Sequence, residues 1–140
     1  MKYIATISFG KDSTTMCDLL LKNGHQVDEI IFSDTFQEFP LMYEYKNKVV
    51  EYFKSRYNIE ITVLTPMTTF EEWCFGVIRD KTADSYGAIR GIPNPADQES
   101  QCYHRRETKV KPSDVYLQQK YKDEHLVKYI GYTKGENYRK

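Results

Sequence analysis

Tyr3, Ala5 and Ile7 alternate with Ile4, Thr6 and Ser8, and the run stops at Gly10. This pattern predicts a short strand over residues 2–8, buried on both faces. Asp12, Ser13, Thr14 and Thr15 then offer cap residues. Met16, Leu19 and Leu20 follow at helical spacing up to a stop at Asn23 and Gly24. A second strand is predicted over residues 27–33, ending in the polar turn Asp34–Thr35, and a second helix over 39–57, where Met42, Tyr45, Val49 and Tyr52/Phe53 recur every three or four positions.

Residues 59–65 read as a third strand closed by Pro66. Thr68 and Thr69 stand three residues before Glu71 and Glu72, giving two overlapping capping boxes for a third helix that carries Trp73, Val77 and Ile78. From 82 to 101 the periodicity lapses among Gly87, Gly91, Pro93 and Pro95, which predicts a lid or a segment ordered by ligand. A further helix starts at Pro112, Ser113 and Asp114, and a fourth strand covers 126–131, ending in a glycine turn. Strands alternating with helices at this spacing imply right-handed crossovers. The expected fold is α/β: one domain over 1–140 with a doubly wound, mainly parallel sheet of four to five strands and helices on both faces.

Composition narrows the class. At 140 residues, 40% hydrophobic and 29% charged, the chain suits one soluble domain. No apolar run approaches the roughly 20 residues that span a bilayer, and no signal-peptide core opens the chain, so a cytoplasmic protein without membrane contact is expected. Three cysteines, Cys17, Cys74 and Cys102, without C-x-x-C spacing build neither a disulfide framework nor a four-thiolate metal site. The net charge of zero hides an asymmetry: residues 1–100 carry 10 basic and 15 acidic side chains, residues 101–140 carry 10 and 5. Residues 101–140 are therefore a basic tail or a basic segment folded back over a polyanionic ligand.

In an open parallel sheet, ligands bind beyond the carboxyl ends of the strands. The first such end, from Ser8 to Thr14, is the most informative. Gly10 can take positive φ and lets the backbone approach a ligand closely. The N–H groups of residues 11–14 then open a helix N-terminus, and the hydroxyls of Ser8, Ser13 and Thr14 add donors. That combination predicts a phosphate cradle. It is neither the Walker A loop nor the dinucleotide fingerprint.

The loop resembles the PP-loop, S-G-G-x-D-S, of the N-type ATP pyrophosphatase superfamily, with Phe9 in place of the first glycine and Gly10, Lys11, Asp12 and Ser13 matching in order. Further segments are similar to the phosphoadenosine phosphosulfate (PAPS) reductase-like branch. Ser33, Asp34 and Thr35 precede Glu38, Phe39 and Pro40. A basic stretch from Cys102 through His104, Arg105, Arg106 and Lys109 ends at Pro112, and Gly131 is followed by Glu136 and Arg139. The Glu-Cys-Gly-x-His tail that carries the catalytic cysteine in PAPS reductases has no counterpart. Sulfonucleotide reduction by this chain alone is therefore not expected, and the chain reads as a minimal member or a truncated domain.

The resemblance implies an adenine nucleotide, ATP or a relative such as PAPS, with Mg²⁺. It places Lys11 and Asp12 in catalysis, with phosphate contacts from Ser8, Gly10, Ser13 and Thr14 and nucleotide contacts from Asp34, Thr35 and Gly131. For Asp12, a Mg²⁺ ligand and a capping carboxylate remain open alternatives; for Asp34, an Asx turn is the structural alternative. Arg105 and Lys109 share a helical face suited to an anion, whereas Arg106 points elsewhere, and all three are candidates for anion contact. His104 and Cys102 read first as structural, and Tyr132 as a stacking candidate. The expected function is ATP or sulfonucleotide chemistry at the α-phosphate with pyrophosphate release, on an acceptor the sequence does not identify. A non-catalytic nucleotide-binding module is the alternative, nucleic-acid association a weaker one, and homo-oligomerisation is left open.

Overall fold

The computed structural model describes residues 1–92 and 105–131. Four strands, β1 (Lys2–Thr6), β2 (Glu29–Ser33), β3 (Ile61–Leu64) and β4 (Leu126–Tyr129), form one parallel sheet in the order β3-β2-β1-β4. Helices α1 (Lys11–Lys22), α2 (Pro40–Tyr57) and α3 (Phe70–Phe75) follow the first three strands, and α4 (Lys111–Lys120) precedes β4. The architecture is the predicted doubly wound α/β fold.

The two-residue period of the strands divides the core between two faces. Ala5, Ile30 and Phe32 pack with Cys17 of α1 and Val49 and Phe53 of α2, while Ile4 and Ile31 pack with Leu117 of α4 on the other side. Each large apolar side chain buried in this way contributes about 1.5–3 kcal/mol. The strand order reverses at β1: β2 and β3 are added on one side of it, and β4 is added on its other side. Among the described residues, no helix is long and apolar enough to cross a membrane.

Several predicted boundaries shift for local reasons. β2 begins at Glu29, and β4 ends at Tyr129, where its ladder with β1 runs out. Of the two overlapping capping boxes, only Thr69–Glu72 forms, with reciprocal side chain to backbone bonds of 3.2 and 2.9 Å. The predicted third helix is too long. It stops at Phe75, and Val77 instead pairs antiparallel with Ile89, supported by Ile78 N–H to Ala88 carbonyl and Arg90 N–H to Gly76 carbonyl bonds. Backbone partners across this arm replace those a longer helix would have supplied. Residues 82–91 thus belong to a bonded arm and are not without structure; positions 93–101 of the predicted lid lie outside the described residues.

The helix predicted from Pro112 also starts earlier. A π-helical turn, Arg106–Val110, runs directly into α4. Pro112 has no N–H to give, and the N–H of Lys111 reaches back five residues to the Arg106 carbonyl.

At the amino end of the sheet, buried Glu29 ties β2 to α4. Its carboxylate accepts from Thr62 (2.5 Å), Tyr116 (2.6 Å), Tyr121 (2.7 Å) and Lys120 (2.9 Å). Burial pushes this carboxyl group up, but the four donors outweigh burial and hold it below its ordinary range.

Candidate functional site

The carboxyl ends of β1, β2 and β4 meet the π-helical turn around a cavity of about 420 Å³ at the point where the strand order reverses. Ser8 and Ser13 line one side of it. Ser13 folds back over the turn: its hydroxyl donates to the Gly10 carbonyl (3.2 Å), accepts from the Ser8 N–H (3.1 Å) and shares a 3.0 Å bond with the Ser8 hydroxyl. The first intrahelical bond of α1 runs from Thr14 N–H to the Gly10 carbonyl at 3.0 Å, so Lys11, Asp12 and Ser13 carry the amides without an intrahelical acceptor. The predicted set of four amides is thus reduced to three.

The residue with left-handed backbone in this loop is Phe9 (φ 55); Gly10, which could take that conformation, does not (φ −69). The ring of Phe9 is buried edge-on against Phe32, centroids 4.8 Å apart, which holds the loop on the core. Gly10 has only Ser8 Oγ within reach of a Cβ, at 3.5 Å, so the fold itself does not require glycine there. Gly131 is tightly placed: a Cβ would meet the Ser13 backbone at 3.1 and 3.3 Å, so a side chain there would have to push the start of α1 by a few tenths of an ångström.

Arg105 and Lys109 line the opposite wall, and Lys128 of β4 joins them, paired at 2.9 Å with Asp114. Arg106 does not line this cavity and pairs with Glu107 at 3.3 Å. The turn is pinned from below: the Ser113 hydroxyl donates to the Lys109 carbonyl (3.0 Å), and the Ser33 hydroxyl lies 2.9 Å from Ser113 Oγ and 3.3 Å from the same carbonyl. Among the described residues, three cations against one carboxylate, with four serine hydroxyls between them, make the cavity suited to a phosphorylated ligand.

Other predicted site residues lie elsewhere. Lys11 and Asp12, 3.8 Å apart, line a separate open depression of about 710 Å³ with Met16, Leu20 and His25, which meets the first cavity only at Ile130 and Gly131. Thr14 faces the groove between α1 and α2, and its buried hydroxyl has no hydrogen-bond partner among the described residues. Asp34 and Thr35 are buried and do not line the cavity. Asp34 accepts from the Phe36 N–H (3.0 Å), making the Asx turn, and from Tyr43 (2.9 Å), with Lys46 at 3.6 Å. Buried Cys17 is no nucleophile, since desolvation pushes its thiol up to about 12. Cys102, His104, Tyr132, Glu136 and Arg139 lie outside the described residues.

Sequence reasoning missed Ser33, Ser113, Asp114 and Lys128. Alternation along β2 puts Ser33 on the same face as Glu29 and Ile31, and spacing along α4 puts Ser113 and Asp114 one turn before Leu117, so their common side was readable once α4 was known to cover that face. Among the described residues no group of three or more His, Cys, Asp or Glu side chains could hold a metal. Asp12, a lone carboxylate in the separate depression, does not build an all-protein metal cage.

No curated protein matches the chain. The model of the phosphoadenosine phosphosulfate reductase domain matches residues 2–77, from β1 through α3, whereas the π-helical turn, α4 and β4 lie beyond the match. With more than half of its length matched, including the loop at Ser8–Ser13, the chain belongs to the phosphoadenosine phosphosulfate reductase domain family.

Proposed function

We propose that the chain binds an adenine nucleotide with its phosphates in the cavity between the Ser8–Ser13 loop and the π-helical turn. Family and fold support the nucleotide class. The observation that carries the placement is the convergence, at the strand-order reversal, of the α1 N-terminus, the hydroxyls of Ser8 and Ser13, and the cations Arg105, Lys109 and Lys128. The proposed reaction is attack of an acceptor oxygen or water on the α-phosphorus of ATP, breaking its bond to the bridging oxygen so that pyrophosphate leaves. The amides at the start of α1 and the guanidinium of Arg105 would stabilise the charge that develops on the leaving group. Mg²⁺ held by Asp12 would supply further charge neutralisation. Because Lys11 and Asp12 line the neighbouring depression, this reading has the phosphate chain extend towards them past the shared edge at Ile130 and Gly131.

A non-catalytic nucleotide-binding module is the second reading, favoured by the position of Lys11 and Asp12 in the neighbouring depression. Calorimetric titration with ATP and Mg²⁺, followed by a pyrophosphate assay, separates the two. Binding is expected to weaken about tenfold or more in Arg105→Ala, the loss of one charge-assisted contact. Pyrophosphate release that disappears in Asp12→Ala supports the enzyme. Tight binding without product identifies the module, and absence of ATP binding overturns both.

A further inference from the structure

We propose that a second cavity, on the other side of the π-helical turn, binds a small aromatic or similarly apolar molecule bearing a carboxylate. The inference stands apart from the nucleotide reading. The cavity is about 500 Å³, within the range of small-molecule sites, and its walls include Val63 and Leu64 of β3, Met67, Trp73 of α3, and Pro112 and Val115 of α4. It lies between the edge strand of the sheet and the flank of α4, turned away from Ser113 and Asp114, which face the phosphate cavity. Apolar surface is open here: Met67 is fully exposed, and Val63 and Val115 are nearly half exposed. Burying it under an apolar ligand is favourable.

Among the described residues, the charged groups at this cavity favour an anion: Glu107 and Lys111 line it, and Arg90 lies over Trp73. Glu107 is already shared, accepting from Lys111 at 2.9 Å and Arg106 at 3.3 Å, and its carboxyl is held below the ordinary range, first by the Lys111 bond. An amine would have to compete with both cations for that carboxylate. Lys111 spends one of its three donors on Glu107 and is 61% exposed, so its ammonium can still donate to an incoming carboxylate. Thr65, Thr68 and Gln119 supply polar contacts around the rim. The Arg90 guanidinium already stacks on the Trp73 ring, 3.6 Å from its centroid, so the apolar body would lie on Pro112 and Val115 beside the indole, with its carboxylate at Lys111.

Trp73 is the single tryptophan of the chain, so the site carries its own reporter. The full chain is titrated with phenylacetate, phenethylamine and phenethyl alcohol, following Trp73 emission excited at the red edge, with ligand-observed NMR as an independent measure. A saturable response to phenylacetate is expected, at least about fivefold tighter than to the amine. Lys111→Ala should abolish that preference while leaving weak binding of the alcohol. Val115→Glu, at an exposed helix position, should abolish phenylacetate binding. Equal or non-saturating responses to the three probes, or unchanged phenylacetate binding in Val115→Glu, overturn the proposal. ATP titration of the same samples reads the phosphate cavity separately, so neither result depends on the other.

Discussion

Phe9 holds two opposing demands in one residue. Its φ of 55 lies in the left-handed region, which costs an L-residue other than glycine about 1–2 kcal/mol, yet its ring is almost wholly buried against Phe32. Removing a buried phenylalanine ring costs about 3–5 kcal/mol, so packing wins and the strained backbone is kept. An order of stability follows. Phe9→Gly relieves the strain but loses the ring, for a net loss of about 2–3 kcal/mol; Phe9→Ala loses the ring and keeps the strain, falling about 1 kcal/mol lower still. Urea midpoints of the three proteins should rank in that order. A glycine variant as stable as the parent would mean that the ring contributes nothing to holding the loop.

Among the elements, the units from β1 to α2 were legible in the sequence because hydrophobic period, caps and breakers agreed there. Pro40 stands at the first turn of α2, and Asn58 takes the left-handed position after it. Legibility failed where a partner distant in sequence decided the outcome. The capping box at Thr69 marks the start of α3, but its end is set by Ile89 pairing with Val77. The motif around Asp34 was visible, whereas the Tyr43 and Lys46 contacts that occupy its carboxylate depend on how α2 lies over the sheet. Helical geometry separates Lys11 and Asp12 from Ser13, a distinction that a motif read as a string does not contain. The join of β2 to α4 through Glu29 is likewise tertiary, and it has a pH signature. The folded state holds this carboxyl below its ordinary range, so the contribution is fully present above about pH 4–5, where the unfolded group titrates, and is lost as pH falls through the lower folded value. Glu29→Gln should cost about 2–3 kcal/mol at neutral pH, and the gap from the parent should narrow as the pH falls towards about 3. A gap constant across that range would show that the charge of Glu29 does not enter the stability.

On the scale of the whole molecule, net charge describes little; its distribution describes the site. The basic surplus of residues 101–140 is not simply a tail, since Arg105, Lys109 and Lys128 are brought by the π-helical turn and β4 against the loop that ends β1. Among these cations Lys128 is restrained, its ammonium 2.9 Å from Asp114, the only carboxylate lining the cavity among the described residues. If phosphate groups lie there, Asp114 opposes binding twice, by repelling the ligand and by occupying Lys128. Asp114→Asn therefore removes one negative charge from the wall and releases one positive charge. Both groups are partly exposed, so screening limits the gain, and a tightening of ATP binding of about threefold to tenfold is expected at low salt. The increment should shrink as ionic strength rises, because it is Coulombic. Calorimetric titration of parent and variant at low and high salt measures both. Equal affinities at low salt would place the phosphates away from Lys128, nearer the Lys11 and Asp12 depression, and a gain independent of salt would assign the effect to shape instead of charge.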